Sequence, residues 1–401
     1  MSISEPSLVA PSASVAPTST HTQAPEARLL HFDLLRGFIM VLMALDHASF
    51  FIAHKHSGEF WGQPQPHYDS VLAFLTRLVT HLCAPGFFFL TGVGMLLFAE
   101  SRRTVGWSEF AIRKHYLTRG ALLIVLQLFI ENPAWVLGPT STTAQPPGGG
   151  SSVLLHFGVL YGLGAAMILS VWLLRLSVPV LVGLGVLAVL TTQWLTPGPA
   201  TVNELYSPIV RLLLVPGHSN LVQVFYPVVP WVGLTLFGMA FAKIVRARPA
   251  QTVRLSLALG AGLLLLFLLV RGSGGFGNLQ PQTDTSWIGF LNVTKYPPSL
   301  AYVTLTLGCD LLLLAVFTPI AARANRWWQV LLVFGQTALC FYLAHLYLYA
   351  LAGLTLAPGQ GTSLPWMYAY WLSGLFILYW LCRRYRAFKQ TTAPDSVWRF
   401  F

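Results

Sequence analysis

Apolar positions in this chain come in long unbroken runs rather than in stripes alternating with polar residues. From Phe32 onward, stretches near the roughly 20 residues that a helix needs to cross a bilayer are separated by short polar connectors. The pattern predicts an all-α, polytopic membrane protein with about ten transmembrane helices. The candidate spans are 32–53, 71–98, 117–137, 153–174, 179–196, 225–245, 255–270, 298–319, 330–351 and 365–382. The stretch 201–224 is apolar at 212–215 but broken by Pro208, Pro216 and Gly217, so it reads as re-entrant or interfacial. Residues 138–152 end in PPGGGSS and read as a flexible loop. Residues 1–27 are rich in Ser, Pro, Ala and Thr and lack the basic start and apolar middle of a signal peptide. They read as a disordered tail, followed by a membrane domain over 28–388 and a tail over 389–401. No internal repeat of the transporter kind is visible.

Composition excludes a soluble globule. Of 401 residues, 55% are hydrophobic and 9% charged, against about a quarter charged in soluble domains. The 24 Lys+Arg against 13 Asp+Glu give +11, which in a soluble protein would suggest nucleic acid. Here the cations alternate by side. With the N-terminus cytoplasmic, eighteen fall in cytoplasmic segments and four outside, while Arg36 and Arg77 lie within helices. The positive-inside rule then puts both termini in the cytoplasm and accounts for the charge with no nucleic-acid partner. The four cysteines lie in apolar runs without metal spacing and read as small core residues.

Ionisable residues inside spans are costly and mark function, and several fall in register. In FDLLRGFIMVLMALDHASFFIAHKH, Arg36 and His47 are eleven residues apart, three turns plus about 20°, and so share a face about 16 Å long. His54 continues that face and Asp33 lies near it. Asp46, about 100° round from His47, is placed to orient a partner rather than His47 itself. In the second span Arg77 and His81 are i, i+4 neighbours, with a kink expected at Pro85. Glu131 ends the third span, His156 opens the fourth, Lys295 precedes the eighth and His345 lies in the ninth. These positions predict a polar cavity open to the outer side, linked to the cytoplasm by the stripe on the first helix. Asp310, mid-span, is expected to pair with a buried cation or with Arg36.

Histidine suits general acid–base chemistry near neutral pH. There is no Gly-x-Ser-x-Gly elbow, Walker loop or dinucleotide fingerprint. His54, Lys55, His56 and His67 suggest a metal, but no spacing supports one, and none is expected. A membrane enzyme using His47, Asp46 and His81 is the leading reading of the polar set. A proton-coupled transporter of a small polar solute and a non-catalytic scaffold are the alternatives.

The blocks RLLHFDLLRGFIMVLMALDH, THLCAPGFFFLTG, FLNVTKYPPSLAYVTLTLG and FGQTALCFYLAHLYLYALAG resemble the bacterial relatives of heparan-α-glucosaminide N-acetyltransferase, over roughly residues 28–385. The family sits with the membrane acyltransferases, including the acyltransferase type 3 group, whose first helix carries an Arg, ten residues and a His. Arg36 and His47 have that spacing. The resemblance implies transfer of an acyl group, usually acetyl, from cytoplasmic acyl-CoA to a polar acceptor, such as a glycan, across the bacterial inner membrane. By that likeness His47 is the base or the acyl carrier, and Arg36 engages the donor's phosphates or pantetheine arm. Asp33, His54, Arg77, Glu131, Lys295 and His345 are the further binding candidates. The cytoplasmic cations Arg102, Arg103, Arg113 and Lys114 are topology signals first and candidate holds for CoA phosphates second. In the animal branch the favoured histidine lies nearer His54 or His56, and that branch carries a lumenal N-terminal domain. The choice between His47 and His54 or His56 stays open, and recognition of heparan-type sugars is not implied.

Overall fold

The first helix, α1 (Leu30–Phe51), is buried on nearly every face, as a helix apolar all round requires. In the computed structural model, which describes residues 29–55, 58–138, 155–219, 222–282, 284–323, 328–357, 359–393 and 396–400, the other long helices are arranged about it. The expected tail 1–27, nearly all of the 138–152 loop and His56 lie outside the described residues.

After α1 come α2 (Val71–Thr80), α3 (Cys83–Thr104), α4 (Glu109–Leu126), α5 (Asn132–Val136), α6 (Val159–Ser170), α7 (Val178–Leu195) and α8 (Pro208–Leu213). They are followed by α9 (Val228–Ala247), α10 (Thr252–Ser273), α11 (Trp287–Leu291), α12 (Leu300–Ala322), α13 (Gln329–Gln336), α14 (Ala338–Leu356) and α15 (Leu364–Thr391). α1 packs against α2, α3, α12, α13, α14 and α15, while α9 joins α3 to α7 and α12 joins α3 to α10. The perimeter helices α7, α10 and α15 turn large apolar side chains outward, Leu187, Leu265, Leu269 and Phe376 among them. That is the arrangement of a protein whose solvent is lipid. Each of the ten predicted stretches is largely helical. Among the described residues, seven helices are long and apolar enough to cross a membrane: 30–51, 71–104, 178–195, 228–247, 249–273, 300–322 and 338–356.

Breaks in these helices have local causes. Proline has no N–H and its ring crowds the carbonyl four residues back. The break between α2 and α3 falls at His81–Leu82, four residues before Pro85, and the freed His81 carbonyl accepts from Tyr302 Oη at 2.8 Å. Ahead of Pro133, residues Gln127–Glu131 form a wide π-helical turn of the kind found at functional sites. α13 and α14 part at Thr337 rather than forming one rod. α1 and α13 touch backbone to backbone: a Cβ on Gly37 would lie 1.9 Å from the Leu331 carbonyl oxygen, and one on Gly335 2.0 Å from that of Asp33.

Two expectations for connectors change. The helix expected from 153 begins only at Val159, because residues 155–157 form a short strand, β1. Gly158 makes the junction, and a Cβ there would press on Glu131 and Gln127. The broken segment 201–224 holds α8 and two strands, β2 (Gly217–His218) and β3 (Val222–Val224). The three strands form one small sheet in the order β1-β3-β2, parallel between β1 and β3 and antiparallel between β3 and β2.

Candidate functional site

Arg36, Met40 and Met43 follow one another along a single face of α1 and line a cavity of about 650 Å³. That volume is ordinary for a ligand site, about 300–1,000 Å³. Five cations stand along its wall: Arg36, Arg102 from the end of α3, Arg119 from α4, and Lys389 and Arg399 from the far end of the chain. Arg36 Nη1 donates to Asp33 Oδ1 at 2.8 Å and to the Gly335 carbonyl at 3.2 Å. Gln336 Nε2 reaches the other Asp33 oxygen at 3.2 Å. Arg102 lies over Phe98 and Trp107, and Arg119 over Phe400. The Nε of Arg102 and that of Arg119 have no hydrogen-bond partner among the described residues.

The cavity reaches inward to Tyr342 and Val159, and one helical turn beyond Met43 stands His47. Its Nδ1 is 2.6 Å from Nε2 of His345 on α14. His345 Nδ1 is in turn 3.0 Å from the Phe341 carbonyl oxygen. A carbonyl only accepts, so the proton of neutral His345 sits on Nδ1 and its Nε2 carries the lone pair. Nδ1 of neutral His47 must then donate, which leaves the His47 lone pair on Nε2. The tautomer of His47 is thus set by a second ring. Trp135 packs edge-on to His47 at 5.2 Å and Tyr342 at 6.3 Å between ring centroids.

The π-helical turn brings Gln127 and Glu131 into this region, both buried. Trp135 Nε1 donates to Glu131 Oε1 at 3.1 Å, while Gln127 Nε2 donates to Asn132 Oδ1 at 2.9 Å. Glu131 Oε2 and Tyr342 Oη are buried without a hydrogen-bond partner among the described residues.

A second polar cluster, all of its side chains buried, forms around Arg77. Arg77 donates through Nε and Nη2 to both oxygens of Glu59, at 2.8 and 2.7 Å, and through Nη1 to Asp46 Oδ1 at 2.7 Å. Thr80 Oγ1 also donates to Asp46, at 2.7 Å. His81 Nε2 is 3.4 Å from Glu59 Oε1. Burial alone would raise the Glu59 carboxyl, but Arg77 and then His81 outweigh it and hold Glu59 well below the usual carboxylate range. Backbone contacts clamp the 52–70 loop to the segment before α12: Lys295 N and Tyr296 N both donate to the Glu59 carbonyl. Lys295 is buried against the face of Tyr296, Nζ 5.1 Å from the ring centroid. From α10, Arg271 pins the same region through the carbonyls of Gly289, Phe290 and Asn292.

The expected residues therefore divide. His47 and His345 meet directly, Glu131 joins them through Trp135, and Arg36, bonded to Asp33, lines the cavity. Asp46, Arg77, His81 and Lys295 belong to the second cluster, and none of them lines the cavity that Arg36 lines. Asp46 does orient a neighbour other than His47, namely Arg77. α1 ends at Phe51 and His54 takes φ +57°, so the chain has left the helix and His54 does not extend the stripe. His156 sits in β1 beside Gln223, where burial lowers it to about 4, only partly opposed by Gln223. Asp310 meets neither Arg36 nor any other hydrogen-bond partner among the described residues; both its oxygens are buried. Of the basic loop, Arg102 reaches the cavity, whereas Arg103 is held by Glu100 and Glu109. Sequence reasoning did not select Glu59, Arg119, Tyr342, Lys389 or Arg399. For Tyr342 a signal existed, since it lies three residues before His345 and so on the same helical face. Among the described residues no three His, Cys, Asp or Glu side chains converge as a metal site.

Residues 28–273 match the family model for the catalytic region of heparan-alpha-glucosaminide N-acetyltransferase, and the chain belongs to that family. The match takes in α1 to α10, with Arg36, His47, Arg119 and Glu131, and ends before Tyr342 and His345. No curated protein sequence matches the chain.

Proposed function

We propose that this membrane acetyltransferase takes its acetyl group from acetyl-CoA bound in the cavity along α1. One observation carries the reading: five cations line a single cavity whose α1 lining ends at Met43, one helical turn from the His47–His345 pair. Phosphates suit such a mouth, since guanidinium groups recognise them through paired donors. Arg36, Arg102 and Arg119 would take the phosphates with Lys389 and Arg399, and the pantetheine arm would run past Met40 and Met43 towards His47.

His47 Nε2 is the base in this scheme. It accepts the proton of an acceptor hydroxyl or amine as that group attacks the acetyl carbon, and returns it to the departing CoA sulfur. His345 positions the imidazole and its tautomer. Glu131, beside Trp135 and Tyr342, faces the acceptor. The buried Arg77 cluster holds the outer loops in place and binds neither substrate. With ten spans and both termini cytoplasmic, as the cation distribution supports, the mouth faces the cytoplasm of a bacterial cell and the acceptor, a sugar or another polar group, arrives from the far side.

The test is release of CoA thiol from radiolabelled acetyl-CoA by the purified protein in detergent. Wild type should turn over, and His47→Ala should lose about 10²–10⁴-fold of that rate, the share a general base contributes. An equal rate in both proteins would refute the assignment.

A further inference from the structure

An acyl transfer also needs somewhere to put charge. When the acceptor attacks, the thioester carbonyl oxygen becomes an oxyanion, and donors fixed in advance at that point are commonly the largest catalytic contribution. Resting on the proposal that acetyl-CoA occupies the cavity, we infer that Tyr342 is a catalytic residue whose Oη–H donates to the thioester carbonyl oxygen.

Tyr342 differs from the other tyrosines of the helical core. The hydroxyls of Tyr116, Tyr161, Tyr302, Tyr347 and Tyr349 each donate to a backbone carbonyl. Tyr342 Oη is buried and has no hydrogen-bond partner among the described residues, a state that costs about 1–3 kcal/mol in a folded protein. Such groups persist where a ligand completes them. The residue lines the cavity at its His47 end, with its ring centroid 6.3 Å from that of His47 and 5.5 Å from that of His345. Glu131 is near enough to interact with the phenol both electrostatically and as a side-chain hydrogen-bond partner, although no bond of full geometry joins them. The phenol therefore sits beside the His47–His345 pair with Glu131 as its polar neighbour.

The step balances without any further reactant. The acceptor's lone pair forms a bond to the acetyl carbon, the C=O π pair moves onto oxygen, and Tyr342 Oη–H stabilises it there. His47 Nε2 takes the acceptor's proton. The oxygen pair then re-forms C=O, the C–S bond breaks, and sulfur leaves with its electron pair and takes the proton from His47. The products are the acetylated acceptor and CoA thiol.

The experiment uses the full chain in detergent with acetyl-CoA and with S-ethyl-CoA, a thioether that lacks the carbonyl. In Tyr342→Phe, CoA thiol release should fall about 10²–10³-fold, the loss seen when one oxyanion donor is removed. S-ethyl-CoA should bind that variant as it binds wild type, which also shows that the fold is intact. Wild type should prefer acetyl-CoA to S-ethyl-CoA, and the variant should lose the preference. Replacing Tyr342 by 3-fluorotyrosine, which keeps the hydroxyl, should retain turnover; if it abolished turnover, the hydroxyl would not be the acting group. Turnover in Tyr342→Phe within a few-fold of wild type, with binding intact, would overturn this inference alone. If wild type bound neither compound, the donor reading itself would fall and the inference with it.

Discussion

His47 Nδ1 and His345 Nε2 stand 2.6 Å apart although the residues lie 298 positions apart in the chain. The Phe341 carbonyl decides which nitrogen of each ring carries a proton, and so which nitrogen of His47 is basic. In the proposed function His345 acts through His47 and does not itself need to reach a substrate. His345→Ala should therefore lower kcat about 10–100-fold, the usual cost of losing an orienting partner, with KM for acetyl-CoA little changed. Steady-state kinetics over a range of pH would check this. The acidic limb of the kcat profile should move in the variant, because the base has lost its neighbour. A change in KM alone would contradict it.

Glu59 makes stability depend on pH in a definite direction. Its carboxyl is held well below the usual 4.5 by Arg77 and His81 despite burial. A group with a lowered folded pKa stabilises fully above its unfolded value and loses that contribution as pH falls through the folded one. The difference in thermal midpoint between wild type and Glu59→Gln should thus be largest above about pH 4.5 and shrink on acidification. A difference that grows as pH falls would count against it.

Arg77 and Asp310 should respond in opposite ways. Arg77→Gln leaves two buried carboxylates without their cation and should cost about 3–5 kcal/mol. Asp310 has no hydrogen-bond partner among the described residues, and its amide isostere removes a charge that apolar surroundings disfavour. Asp310→Asn should be within about 1 kcal/mol of wild type, or more stable. Thermal unfolding in detergent compares them, and a loss in Asp310→Asn matching that of Arg77→Gln would contradict the assignment.

The segment Val397–Phe400 closes one wall of the cavity mouth. Phe400 packs on His115 and under Arg119, and Arg399 Nη2 donates to the Thr392 carbonyl at 2.8 Å. Phe400→Ala and Arg399→Ala should raise KM for acetyl-CoA several-fold and leave kcat nearly unchanged, since neither is near His47. Initial-rate kinetics would check it; a loss confined to kcat would not fit.

The polar stripe on α1 was readable because helical periodicity alone puts Arg36 and His47 on one face, and nothing in the fold disturbs that helix between them. His54 failed because periodicity says nothing about where a helix stops, and this one stops at Phe51. Pro85 announced a kink, but the break lies four residues earlier, where the missing N–H frees the His81 carbonyl. Glu59 was hidden because it lies in a loop, and only the tertiary fold brings a loop carboxylate onto Arg77. Tyr342 reads as core in an apolar helix until its hydroxyl is found without a partner. The mouth of the cavity gathers cations from α1, α3, α4 and α15, and no local pattern records that meeting.

The central claim is that the cations at the mouth hold the donor's phosphates. Equilibrium binding of acetyl-CoA to the purified protein, wild type beside the double variant Arg36→Ala/Arg119→Ala, tests it most directly. Losing two charge-assisted contacts worth about 1.5–3 kcal/mol each predicts saturable binding in wild type and an affinity at least tenfold weaker in the double variant. Equal affinity in the two proteins, or no saturable binding to a folded wild type, would contradict the account.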